Sequence, residues 1–148
     1  VRADVERKRL FGLAPDVVSD GIPGGIYTAE ATLRTYQRLA QVAREVLAAG
    51  YSVIVDATLL DRDARALFLA LADSAQVPCH ILSFEAPLPV LRERVRQRAL
   101  AGGGASEADV AVLDAQWARA HPLQPHEEAI TLHVDTTAPV DWDRLLPP

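Results

Sequence analysis

The stretch VIVDATLLDRDARALF, residues 53–68, decides the fold. It opens with Val53, Ile54 and Val55, a β-branched run of the kind that forms a strand covered on both faces. Asp56 ends the run, and DRDARALFLALADSAQ, from Asp61, reads as a helix. A second apolar run, VPCHILSFEA from Val77, follows that helix. Further on, AITLHVDTT alternates Ile130, Leu132 and Val134 with polar residues, as an end strand does. Strands alternating with helices predict an α/β fold with a parallel sheet.

In open parallel sheets, ligands sit outside the carboxyl ends of the strands, which is where Asp56 projects. An acid there can hold a magnesium ion, directly or through water, beside a nucleotide phosphate. It can equally serve as a turn or capping residue. Position alone leaves both readings open.

The whole chain bounds the answer. Its 148 residues, 49% of them hydrophobic, suit a single domain with one core. A net charge of −5 without a dense Lys/Arg tract gives no sign of a broad nonspecific nucleic-acid surface, and leaves a local basic patch open. No apolar run is long enough to cross a bilayer, and the charged start VRADVERKRL is not a secretory signal. A soluble cytoplasmic protein is the expectation. Cys79, the single cysteine, cannot form an internal disulfide.

Helices fill the rest. DVERKRLFG predicts a short helix from about Asp4, stopping at Gly12. A loop rich in Pro, Gly and Asp runs from Leu13 to Tyr27, and Thr28 is placed to cap AEATLRTYQRLAQVAREVLAAG. That helix carries Tyr36, Leu39, Ala43, Val46 and Leu47 on one stripe and ends at Gly50. PLPVLRERVRQRALA reads as a helix leading into Gly102, Gly103 and Gly104. Ser106 and Asp109 then form an S-x-x-D capping pattern for the helix EADVAVLDAQWARA.

Two pairs of residues could accompany Asp56. Asp4 and Arg7 lie three apart on one helical face, where a carboxylate can accept a proton from a hydroxyl and an arginine can grip an anionic group. The plainer reading makes Asp4 a cap and leaves Arg7 in solvent. Arg94 and Arg98, spaced i, i+4, can clamp a phosphoryl group, with the glycine run letting the segment move as a lid over about residues 92–108. Arginines interleaved with Glu93 also fit an ordinary solvated face. His121, His126 and His133 show no metal-ligand spacing, and His133 is expected at the surface. Trp117 and Trp142 read as packing residues.

Taken in order, RADVERKRL, GIYTAEATLRTYQRL, GYSVIVDAT, LRERVRQR and GGGASEADVAVLDAQ resemble the P-loop kinase domains related to polynucleotide kinase and zeta toxin. More narrowly, the chain is similar to the ATP-binding domain attached to aminoglycoside-phosphotransferase-like domains in bifunctional bacterial proteins. The resemblance implies a three-layer α/β fold, a parallel sheet flanked by helices. It also implies ATP and Mg2+ as cofactors and a hydroxyl-bearing substrate as acceptor, with nucleic acid expected only as such a substrate. Asp4 falls on the general base and Arg7 on its substrate-binding partner. Asp56 falls on the acid near magnesium and substrate, and Arg94 and Arg98 on the lid arginines that meet the nucleotide phosphates. A phosphotransferase-like domain attached in a parent chain is a further expectation.

The chain departs from this pattern in one respect: no G-x-x-x-x-G-K-[ST] loop occurs in residues 1–148. Lys8, the only lysine, has no glycine-rich turn before it. In the resembled family that loop follows a first strand lying between the third and fourth. The expectation is therefore an N-terminally truncated domain, lacking the first strand and P-loop and inactive as this fragment. The absence of any Met agrees with that expectation. A noncatalytic nucleotide-binding regulatory domain is the alternative class of function.

Overall fold

The computed structural model describes residues 1–19, 22, 24–101 and 106–142. Six helices, α1 (Ala3–Leu10), α2 (Ala29–Ala48), α3 (Arg62–Ala75), α4 (Leu88–Ala101), α5 (Val110–Arg119) and α6 (Pro125–Glu128), and two strands, β1 (Ile81–Glu85) and β2 (Thr131–Asp135), make up its regular structure. No helix among the described residues is long and apolar enough to cross a membrane.

The helix α2 organises one half. Thr28 caps it as its sequence predicts, the side chain accepting from Ala31 N at 3.1 Å. Ala31, Thr35, Leu39 and Ala43 recur every fourth residue on its buried face, a stripe turned slightly from the predicted one. Tyr36, Val46 and Leu47 are only half-buried. Small side chains at Ala40 and Ala43 admit Leu71 of α3 into one cluster, against which Leu47, Val53, Val55, Leu67 and Phe68 pack. Leu39 is wholly buried, at 0% exposure.

Two chain stops follow from backbone conformation. Gly12, at φ +71, ends α1 as predicted, and Gln76 takes the same left-handed region at φ 56 to end α3. The cap of α1 is Arg2, with no side-chain hydrogen bond, so Asp4 is not a capping residue. Asp109, not Ser106, caps α5, accepting from Val112 N at 2.8 Å, so that helix starts later than its S-x-x-D pattern suggested. The glycine run predicted as a hinge lies outside the described residues.

The sheet is narrower than expected. β1 and β2 pair in parallel, with Ile81 opposite Thr131 and Glu85 opposite Asp135. Residues 53–55 join no ladder. Their segment touches the chain start through a single parallel bridge, Arg2 with Asp56. The described residues thus hold a two-stranded parallel sheet and one bridge, with helices against them, in a mixed α/β arrangement. Helix α3 lies between the 53–57 segment and β1 along the chain.

Arg65 fastens the two halves at one end. It is buried on α3 and bonds both carboxylate oxygens of Glu127, at 2.8 and 3.0 Å. It also donates to the carbonyls of Leu59, Leu60, His121 and Pro122. This two-toothed pair holds the Glu127 carboxyl down at about 2.

Candidate functional site

The bridge at Asp56 sets two acids at one end of the structure. Asp56 N donates to Val1 O and Ala3 N donates to Asp56 O, both at 2.8 Å, so α1 begins where the 53–56 segment ends. Asp4 therefore enters its helix beside Asp56. The Asp56 carboxylate is exposed and meets one side chain, Arg2, through Nε at 3.2 Å. Register puts Glu85 and Asp135 at the corresponding ends of β1 and β2.

Arg7 is not solvated. It is buried, donating through one terminal nitrogen to Ile26 O (3.1 Å) and Thr32 Oγ1 (3.2 Å), and its guanidinium lies 5.0 Å from the centre of the Tyr27 ring. Burial lowers its pKa, and the nearby Tyr27, Asp4 and Tyr36 oppose that shift. Its Nε is buried without a partner among the described residues. The sequence pattern placed Arg7 beside Asp4. What it did not disclose is that Arg7 holds the loop preceding α2.

Lys8 is 1% exposed and bonds Pro15 O at 3.0 Å and Glu107 at 2.8 Å. Glu107 also accepts from Ser19 N and Ser19 Oγ, while its own amide donates to the Tyr27 hydroxyl at 3.0 Å. Burial pushes the Glu107 carboxyl up, but Lys8 and Ser19 together outweigh it and leave it below the usual range. The segment after the glycine run is thereby fixed to α1 and the loop.

The two lid arginines are partly engaged. Arg94 donates to Thr136 Oγ1 (2.7 Å) and Thr136 O (2.6 Å), and Arg98 to Ala108 O (2.8 Å). Both are exposed, and each keeps further N–H donors beyond those contacts. Arg92 pairs with Asp114 at 2.9 Å and ties α4 to α5.

His133 lies on the surface as expected, with Nδ1 2.6 Å from Glu85 Oε1 and Nε2 2.9 Å from Glu128 Oε2, and both carboxylates raise its pKa. No group of three or more ligating side chains that could hold a metal occurs among the described residues.

A family model described as an AAA domain matches residues 1–123. The chain belongs to this AAA-domain family. It is a P-loop NTPase-like family that includes kinases and ATPases, and membership suggests a nucleotide-binding function. No curated protein matches the chain.

Nucleotide with Mg2+ is the general ligand of such domains. The exposed Asp56 carboxylate, with a single side-chain contact, suits the oxygen ligation of Mg2+. The phosphate side fits less well. The AAA domain as given carries no glycine-rich loop with Lys-Ser or Lys-Thr, and its one lysine is buried against Glu107.

Proposed function

We propose that residues 1–148 form the acceptor side and lid of an ATP-dependent phosphotransferase of the polynucleotide-kinase and zeta-toxin type, acting on a hydroxyl. The pairing of Arg2 with Asp56 supports this most directly, since it puts Asp4 and Asp56 at the same strand end. ATP bound with Mg2+ would supply the transferable phosphoryl group. Asp4 would accept the proton of the attacking hydroxyl, and its carboxylate makes no hydrogen bond among the described residues. Arg7 would steady the loop bordering the acceptor, with its free Nε–H as a donor. Asp56 would face the metal, and Arg94 and Arg98 would turn their remaining donors to the phosphates. The phosphate cradle would come from polypeptide outside these residues. A cytoplasmic setting and an attached phosphotransferase-like domain belong to the same proposal.

The test joins residues 1–148 to a strand and glycine-rich loop in one polypeptide and measures ATP binding with magnesium by calorimetry. Failure to bind would remove the reading. In that polypeptide, Asp4→Ala should lower phosphotransfer by about 100-fold or more while changing nucleotide affinity less than about threefold. Equal loss of both would take Asp4 out of the base role.

The engagement of Arg94 with Thr136 and of Arg98 with Ala108 favours a second reading, a noncatalytic domain that binds nucleotide and regulates a partner. ADP release measured against a panel of hydroxyl acceptors, with a water-only control, separates the two.

A further inference from the structure

Helix α4 buries none of its side chains. Leu88, Leu91 and Val95 are half-buried, and Leu100, near its end, is 88% exposed. A helix without a buried stripe depends on its polar contacts to stay in place. Arg96 pairs within the helix, with Glu93. Arg92 reaches Asp114 of α5, and Arg98 reaches Ala108 O shortly before that helix. Among the described residues, only Arg94 ties α4 by hydrogen bonds to the end of the sheet, donating through Nη1 to Thr136 Oγ1 (2.7 Å) and through Nη2 to Thr136 O (2.6 Å).

Thr136 can take both nitrogens because of its own bonds. Its N and Oγ1 both donate to Glu85 O, at 2.9 Å each. The hydroxyl has one proton, spent on that carbonyl, so it meets Arg94 as an acceptor. Thr136 thus presents two oxygens to the guanidinium fork, as one edge of a phosphate does, but uncharged ones. The neighbouring carboxylate, Asp135, accepts instead from Thr137 N (2.8 Å) and Thr137 Oγ1 (2.7 Å). Glu85 and Asp135 end β1 and β2 side by side. Arg94 therefore lies across the carboxyl end of the sheet, the side on which open parallel α/β sheets take their ligands.

We propose that Thr136 is a resting seat for Arg94, an autoinhibitory contact that a polyphosphate displaces. A phosphate carries the charge that Thr136 lacks, and a charged acceptor binds a guanidinium more strongly than a neutral one. A ligand that takes both terminal nitrogens has first to undo the two bonds to Thr136. Its apparent affinity is reduced by the fraction of chains in which they are undone. Binding then releases α4 from its hydrogen-bonded tie to the sheet. The seat is particular to Arg94, since Arg98 meets one carbonyl and Arg92 a carboxylate. The inference rests on the nucleotide-binding reading that both forms of the proposed function share.

The experiment titrates inorganic tripolyphosphate into the full 148-residue chain at low salt, by calorimetry. Thr136→Val keeps the side-chain shape and the amide bond to Glu85 O but removes the hydroxyl acceptor, and should bind about threefold or more tighter than the unaltered chain. Thr136→Ser keeps the hydroxyl and should match the unaltered chain. Arg94→Gln should bind about tenfold or more weaker than Thr136→Val, which assigns the binding to Arg94. Equal or weaker binding by Thr136→Val would overturn the proposal, the second by making Thr136 a ligand-binding group. So would a Thr136→Ser chain that behaves like the valine variant, an Arg94→Gln chain that binds as well as the unaltered one, or no binding by any of the four. ATP calorimetry on the joined polypeptide tests nucleotide binding separately. ATP binding there with no effect of Thr136→Val here removes this inference alone.

Discussion

The two halves of the structure draw on the same kind of sequence and pack differently. On one side, α2 lies between α1 and α3 and buries Ala31, Thr35, Leu39, Ala40 and Ala43. On the other, α4 and α5 bury none of their described residues, and the sheet contributes Val134 as its one buried apolar residue. The arginine content of α4 is only part of the reason, since α5 has an apolar stripe of its own. A stripe is buried only when a broad enough surface stands opposite it, and two strands are too narrow for two helices. Packing is thus limited by the partner surface rather than by the helix.

The largest effect should come from parting the two sides. Arg65→Ala strands the Glu127 carboxylate in the interior and should cost about 3–5 kcal/mol in urea unfolding. A loss below about 1 kcal/mol would mean that the two sides are held elsewhere. The same pair sets an acid limit. Because the Glu127 pKa is depressed to about 2, its contribution is complete above about pH 4.5 and disappears as pH falls toward 2. Acid titration of Glu127→Gln should lack that part of the transition.

Next in size is a matched pair of truncations, one in each half. Leu39→Ala should cost about 3 kcal/mol, and Phe84→Ala under about 1 kcal/mol in the chain alone. Similar values for both would erase the contrast.

Glu107→Gln leaves the Lys8 ammonium with Pro15 O and a neutral amide, and should cost about 2 kcal/mol because Glu107 is itself partly open to solvent. Chemical denaturation reads this directly. The smallest effect lies at the sheet surface. His133, raised by Glu85 and Glu128, adds stability that is fully present below about pH 6.5 and is lost as pH rises through its raised value. NMR titration of the imidazole should show the pKa fall in Glu85→Gln.

Local signals in the sequence were reliable where their cause is local. Thr28 as a cap, Gly12 as a stop and the long α2 follow from neighbours within a few residues. Arg65 carried a readable sign, a charge three residues before Phe68 on the apolar stripe of α3. Its partner lies 62 residues away, where periodicity gives no pairing. Lys8 had no such sign, and its tie to Glu107 is a product of tertiary packing. In the candidate site, Asp56 was legible as an acid ending an apolar run and Asp4 as a carboxylate opening a helix, while the inward turn of Arg7 toward Tyr27 and Ile26 was not. The Val53–Val55 run was legible as a strand by composition. A ladder needs a partner strand along at least one edge, however, and the described residues supply one only at Asp56.

Glu6, Arg7 and Lys8 are three buried charges in a row on α1. Successive helical residues point about 100° apart, so the three reach in different directions. Glu6 meets Arg9 and Arg38, Arg7 meets Ile26 and Thr32, and Lys8 meets Pro15 and Glu107. The short helix is keyed like a peg with three teeth. It cannot turn about its axis without undoing at least one ionic contact, and Asp4, one turn ahead of Arg7 and Lys8, is aimed by residues that never touch it.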